Sequence, residues 1–273
     1  MSTTQHTNPT VVLVHGLWMT PKSWQQWIDR FEQAGYPVLA PAWPGLDRPV
    51  AELNADPSPI AALDLATVVE HYERIVRGID GPVVLMGHSF GGLIVQLLLE
   101  RGAGDAGVAI DAGQPAGAYA LPLSTIKAAS PILGHPTTFR KAVPLTPEQF
   151  HYAFTNELSD EDSRKVYDEL HVPAVGHVLW EGAFGAVRKG VTAVDYRKPD
   201  RAPLLLVAGG ADHIVPAKLN RAMYRRYAKG AATVDFREYP DRTHHIVGQA
   251  GWEQVADESL AWALDHLGAH ATA

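Results

Sequence analysis

Residues 82–92 read Pro82-Val83-Val84-Leu85-Met86-Gly87-His88-Ser89-Phe90-Gly91-Gly92, and this stretch decides the fold. Its first half is a short apolar run with β-branched residues, the mark of a buried strand. Its second half is G-x-S-x-G, a serine with a glycine two positions to either side. From Leu93 to Leu99 the chain is apolar nearly all round, so the next element is a buried helix. A serine at the apex of so sharp a turn has its hydroxyl pushed clear of the sheet. Gly87 and Gly91 let the backbone bend and let the helix approach the strand. The bare pattern is common, because small residues cluster in many turns. The strand before it and the helix after it give it weight. The plainer alternative is a serine that merely starts a helix.

Outward from this turn, strands and helices alternate. Val11–Val14 is a buried strand followed by His15-Gly16. Thr20-Pro21 opens a helix carrying Trp24, Trp27, Ile28 and Phe31, and Gly35 stops it. Residues 37–40 form a second strand, and 41–62, rich in Pro, Asp and Ala, read as a loop. Leu65, Val68, Val69, Tyr72, Ile75 and Val76 make one helical stripe. Further strands fall at 108–110, 204–207 and 233–239. A last helix shows Trp252, Val255, Leu260, Leu264 and Leu267 on one side. Such alternation predicts an α/β fold with a parallel sheet and right-handed crossovers.

Residues 118–198 break the rhythm. Helix starts stand at Thr146-Pro147 and at Ser159 with Asp162 three on, but no clear strand is visible. Phe150, Phe154, Val166, Tyr167 and Leu170 supply apolar faces. The expectation is a helical cap at 118–198, inserted into a core made of 1–117 and 199–273.

The chain has 273 residues, of which 46% are hydrophobic and 19% charged, enough to bury a substantial core. It has no cysteine, so disulfides and thiolate chemistry are excluded. A net charge of −7 without a basic patch argues against nucleic acid and anionic membrane as partners. The polar start MSTTQHTNPT lacks the pattern of a secretory signal, and no apolar run approaches the length of a membrane span. A cytoplasmic location is therefore expected. Thirteen histidines invite a metal reading, but no H-E-x-x-H or comparable ligand spacing occurs, and no metal is expected. Nothing in the chain specifies an oligomeric state.

A serine is a poor nucleophile at neutral pH. It needs a base within reach, and the base needs an acid to orient it. On a parallel sheet these groups collect at the carboxyl ends of strands. Asp212 follows the strand at 204–207, in Gly209-Gly210-Ala211-Asp212-His213-Ile214-Val215-Pro216. His244 follows the last strand, in Asp241-Arg242-Thr243-His244-His245. The order Ser89, Asp212, His244 is the order this architecture uses. His245 keeps the choice of base open.

The chain resembles the α/β-hydrolase family, in particular its small, capped, cofactor-free esterase-like members. The likeness rests on V-L-V-H-G at 12–16, G-H-S-F-G-G at 87–92, G-G-A-D-H-I-V-P at 209–216, and a histidine ahead of a final Gly-Trp-Glu helix. It implies Ser89 as nucleophile, Asp212 as acid and His244 as base. Asp111, at the end of the preceding strand, is the alternative acid. The likeness also implies an oxyanion hole from the backbone N–H groups of Leu17 and Phe90, with Trp18 as an alternative donor. The family's first β-hairpin is missing, which leaves about six strands, mostly parallel. The loop after the second strand reads Ala42-Trp43-Pro44-Gly45-Leu46-Asp47 and departs from the family's pattern. Trp18, Trp43, Trp180 and Phe184 are candidates for the substrate pocket. The implied function is a serine hydrolase that cleaves a small or medium apolar ester or lactone, a small-molecule acyl substrate, with no cofactor. A hydroxynitrile-lyase-like or other non-hydrolytic enzyme, or a ligand-sensing receptor with slow turnover, would use the same fold.

Overall fold

The expected alternation forms. A computed structural model describes residues 8–117, 122–185 and 190–267. In chain order its strands are β1 (Thr10–Val14), β2 (Val38–Leu39), β3 (Val83–His88), β4 (Ala106–Ile110), β5 (Ala142–Val143), β6 (Ala174–Val175), β7 (Leu204–Gly209) and β8 (Val234–Tyr239). Six of these pair in parallel in the order β2-β1-β3-β4-β7-β8. The chain runs outward from β1 to β2, then returns to the other side of β1 for β3. The strand order therefore reverses between β1 and β3, the kind of crevice where open parallel sheets hold ligands.

The helices are α1 (Gln25–Gln33), α2 (Val50–Ala55), α3 (Leu65–Arg77), α4 (Phe90–Glu100), α5 (Leu123–Leu133), α6 (Pro147–Phe154), α7 (Asp160–Leu170), α8 (Gly176–Gly185), α9 (Ala217–Tyr227) and α10 (Trp252–His266). Successive strand residues feed two cores, so both faces of the sheet are covered. Val12, Val14, Leu85, Leu204 and Leu206 pack with Val68, Val69 and Tyr72 of α3 and the leucines of α4. Val11, Leu13, Val84, Met86, Leu205 and Val207 pack with Trp27 and Phe31 of α1 and Val255 and Leu260 of α10. This is why the strands read as unbroken apolar runs rather than as alternating ones.

Two sequence expectations need correction. Residues 41–62 are not only loop: α2 and a short 3-10 turn at Ser58–Ile60 lie there, each anchored by one fully buried residue, Leu53 and Ile60. A single anchor per element leaves no period to read. The stretch 118–198, where no clear strand is visible in the sequence, holds β5 and β6. They pair antiparallel as Ala142↔Val175 and Val143↔Ala174, too short for alternation to show. The helix starts do form. Thr146 accepts from the Gln149 N–H in a full capping box, and Ser159 accepts from the Asp162 N–H. The expected beginning of the cap at 118 lies outside the described residues, as does most of the stretch MSTTQHTNPT. No described helix is long and apolar enough to cross a membrane.

Candidate active site

The turn after β3 is tightly determined. Ser89 has φ 57 and ψ −121, a conformation that costs a non-glycine residue energy and persists only when its surroundings hold it. Backbone hydrogen bonds do so, including one from the Leu93 N–H to Ser89 O at 3.3 Å. The Ser89 N–H donates to Ile110 O at 2.9 Å, and Ser89 O accepts from the N–H groups of Gly92 at 3.0 Å and Gly113 at 2.9 Å. Close packing explains the flanking glycines. A Cβ on Gly91 would stand 2.0 Å from Val14 O, and one on Gly87 would stand 2.2 Å from Gly91 O. Among the described residues, three non-glycines have positive φ: Trp18, Ser89 and Asp111. They follow the adjacent strands β1, β3 and β4, so the backbone strain is concentrated at one edge of the sheet.

At that edge Ser89, His244 and Asp212 meet. His244 Nε2 lies 2.9 Å from Ser89 Oγ, and His244 Nδ1 lies 2.6 Å from Asp212 Oδ2. Asp212 can only accept, so His244 donates Nδ1–H to it and takes the serine hydrogen bond at Nε2. Asp212 Oδ1 accepts from the N–H groups of Ile214 at 2.6 Å and Val215 at 2.9 Å, which fixes the carboxylate. All three residues are buried. Phe154, at the end of α6, sets its ring edge against His244 at 5.0 Å.

The neighbouring histidines do other things. His245 gives its N–H to Phe154 O and packs its ring beside Gly248. Burial lowers its pKa to about 4, with the neighbouring His244 adding to the effect. His88 donates Nε2–H to His244 O at 2.8 Å and so holds the backbone of the loop; burial, then His244, keep its ring neutral. His15 accepts the Trp43 N–H at Nε2 and stacks on the Trp43 ring at 5.3 Å; burial lowers its pKa to about 4.

Ligand atoms of His88, Asp111 and His244 come within 4.8 Å of one another. Both ring nitrogens of His244 and Nε2 of His88 already hold partners, so a cation there would have to break those bonds.

The loop after β1 lies against the serine: a Cβ on Gly16 would stand 2.8 Å from Ser89 Cβ. Among the described residues, the N–H groups of Leu17 and Phe90 give no backbone hydrogen bond outside the helices and strands. Beside Ser89 is a cavity of about 120 Å³ lined by Trp18, Phe90, Leu93, Gln114, by Thr125, Ala128, Ala129 and Leu133 of α5, by Leu179, Gly182 and Ala183 of α8, and by Ile214 and Val215. The Phe90 ring packs on α8 where Gly182 leaves room; a Cβ there would meet the ring at 2.5 Å. A more open cleft of about 630 Å³, lined by Glu148, His151, Asp160, Arg164 and His213 among others, reaches none of Ser89, Asp212 and His244.

Of the four aromatic pocket candidates, Trp18 lines the cavity and the structure does not bring the other three to it. Trp43 is buried against His15. Trp180 donates to Thr138 Oγ1 at 3.1 Å and stacks on Phe184 at 5.4 Å, and Phe184 is 58% exposed. The reason is register. Leu179, Gly182 and Ala183 share the inner face of α8, and residues one position further on are rotated by about 100°. Sequence reasoning missed the small residues of α5 and α8. Their only signal is a run of Ala, Ser and Gly inside helical segments, which reads as bland.

Residues 11–258 match the sequence profile of the Alpha/beta hydrolase family. A monoacylglycerol lipase of Mycolicibacterium smegmatis is 26% identical over 278 aligned positions, covering 97% of this chain and 91% of that protein. A pyrethroid hydrolase from Sphingobium faniae superposes with a TM-score of 0.69 at 18% identity, covering 94% of this chain and 98% of the other. A monoacylglycerol lipase of Paleococcus ferrophilus superposes with a TM-score of 0.64 at 21% identity, covering 95% and 96%. With the family match spanning most of its length, this chain belongs to the alpha/beta hydrolase family.

Proposed function

We propose that the protein is a serine hydrolase of small or medium apolar carboxylic esters. The observation that carries this reading is the buried chain Ser89–His244–Asp212, with bonds of 2.9 and 2.6 Å, opening onto an apolar cavity. Ser89 Oγ attacks the ester carbonyl carbon while its proton passes to His244 Nε2. Asp212 stabilises the imidazolium so formed. The carbonyl oxygen becomes an oxyanion, which the N–H groups of Leu17 and Phe90 receive. One such donor is typically worth about 2.7–4 kcal/mol of barrier. Collapse expels the alcohol, which takes the proton from Nε2 and leaves an acyl group on Ser89. Water then repeats the sequence and releases the acid. No step calls for a cofactor.

The helices between β4 and β7 serve as the cap. α5 and α8 wall the cavity, and Phe154 of α6 covers His244. The cavity is close to the ~150 Å³ that houses a benzene molecule in an engineered core. It therefore favours acyl groups of roughly that bulk over long chains. Assays with aryl esters of increasing acyl length, with Ser89→Ala as control, test the reading. Turnover that peaks at short or medium chains and vanishes in Ser89→Ala supports it. Turnover that survives in Ser89→Ala contradicts it.

A further inference from the structure

Asp111 ends β4 with a left-handed φ of 43, and its side chain is fully buried beside the triad. One carboxyl oxygen, Oδ1, accepts the Gly209 N–H at 2.6 Å. The other, Oδ2, is buried and meets no hydrogen-bond donor among the described residues. A carboxylate oxygen of Asp111 lies within 4.8 Å of a ring nitrogen of His244, whose Nδ1 is held by Asp212, and the Asp212 side chain is the acidic neighbour that bears on Asp111. Asp212 already accepts three donors: the Ile214 and Val215 N–H groups and His244 Nδ1–H. Two neighbouring carboxylates repel, and two acceptors cannot bond, unless a proton lies between them.

The surrounding groups offer no countercharge to a second carboxylate. His88 on β3 spends Nε2–H on His244 O, and burial keeps its ring neutral. His244, on the loop after β8, gives its one N–H to Asp212, and His245 beyond it is held neutral by burial. Asn220 on α9 turns its amide oxygen to the Ala112 N–H. Among the described residues, the charge that bears on Asp111 is that of Asp212. An unpaired buried carboxylate is strongly disfavoured.

We propose that Asp111 is a neutral carboxylic acid whose Oδ2–H donates to Asp212, making it a positioning residue for the acid of the triad. The bond holds the Asp212 carboxylate in register with His244. Burial, and after it the Asp212 charge, push Asp111 well above the usual carboxylate range. The positioning role rests on the reading of His244 as base, but the proton itself can be seen without substrate.

Infrared difference spectroscopy of wild type against Asp111→Asn, without substrate at neutral pH, shows the proton directly. The expected result is a carboxylic-acid C=O band present in wild type and absent in the variant. Absence of that band overturns the proposal, whether or not Ser89 proves to be the nucleophile. Should Asp111→Asn not fold, the wild type decides alone. Ordinary carboxyls ionise near pH 4, so the band must persist well above pH 5. Activity tests the positioning. Asparagine offers both the acceptor for Gly209 and the donor for Asp212, so it should rescue most of the kcat that Asp111→Leu loses, about tenfold or more. The acid limb of the pH profile should coincide in wild type and Asp111→Asn. If Asp111 were charged, its removal would move that limb to lower pH. Stability gives a third reading. The folded pKa is raised, so the contribution of Asp111 to wild-type stability is lost as pH rises from about 4 toward that value, and the asparagine variant has no such contribution. Its folding constant relative to wild type should rise about tenfold per pH unit. A ratio independent of pH would contradict the proposal.

Discussion

Ser89 and His244 stand 155 positions apart in sequence, yet Ser89 Oγ lies 2.9 Å from His244 Nε2. The strained turn after β3 fixes one partner. The loop after β8, tied to His88 through His244 O, fixes the other. The two side chains should therefore act as a unit. Ser89→Ala and His244→Ala should each lower kcat by about 10⁶, and the double variant should be no worse than either. Kinetics of the three variants, with circular dichroism to check folding, test this. Losses that multiply would mean the groups act separately.

Asp212→Asn should keep the fold and cut kcat by about 10⁴, because asparagine presents the wrong partner for the required histidine tautomer. His245→Ala should be mild. Its bond to Phe154 O is made by the backbone, its ring packs beside Gly248, and the imidazole bonded to Ser89 Oγ is that of His244. Steady-state rates for the two variants rank them. A crippled His245→Ala beside an active Asp212→Asn would reverse the assignment.

Four of the five buried histidines among the described residues, His15, His88, His171 and His245, should make the protein sensitive to acid. Burial lowers His15, His171 and His245 to about 4, and His88 is also held well below its ordinary value. In the unfolded chain histidine titrates near 6.5. A depressed folded pKa means that the stability is complete above about 6.5 and is lost as pH falls toward about 4. Each group adds a slope of about 1.4 kcal/mol per pH unit in that window. Urea unfolding at several pH values should show this steep decline. His171→Gln should flatten it by about one proton. A curve that stays level down to pH 5 would contradict the burial argument.

The cavity walls should set acyl preference. Ala129→Leu adds bulk between α5 and Ser89 and should lower kcat/KM for a hexanoate ester relative to an acetate by about tenfold or more. Phe184→Ala, at a side chain that is 58% exposed, should leave that ratio as it was. Measuring both esters with both variants decides between the α5 wall of the cavity and the outer face of α8 as the specificity surface.

Some of this was legible in the sequence and some was not, for physical reasons. The G-x-S-x-G turn, the six strands and the positions of Asp212 and His244 are local patterns: apolar runs, glycines where backbones touch, polar residues just past strand ends. Which of His244 and His245 reaches Ser89 is a matter of which way two adjacent side chains point, and only the loop geometry turns His244 to it. The cavity is assembled from α5, α8 and the loops after β1, β4 and β7, distant in sequence and mostly small. Large aromatics carry the stronger signal in the sequence. Trp43 turned out to serve the packing of His15, and Trp180 that of Thr138 and Phe184. Asp111 was visible as a possible acid, but Asp212 becomes its neighbour only once β4 and β7 are paired.

The central claim is that Ser89 carries the acyl group. Incubating the protein with a slowly deacylating aryl ester, then measuring intact mass and mapping the modified peptide, tests it most directly. The predicted result is one acyl group per chain, on Ser89, appearing in a burst that matches the released alcohol and absent from Ser89→Ala. Turnover of the ester with no adduct on Ser89, or an adduct that persists in Ser89→Ala, would contradict it.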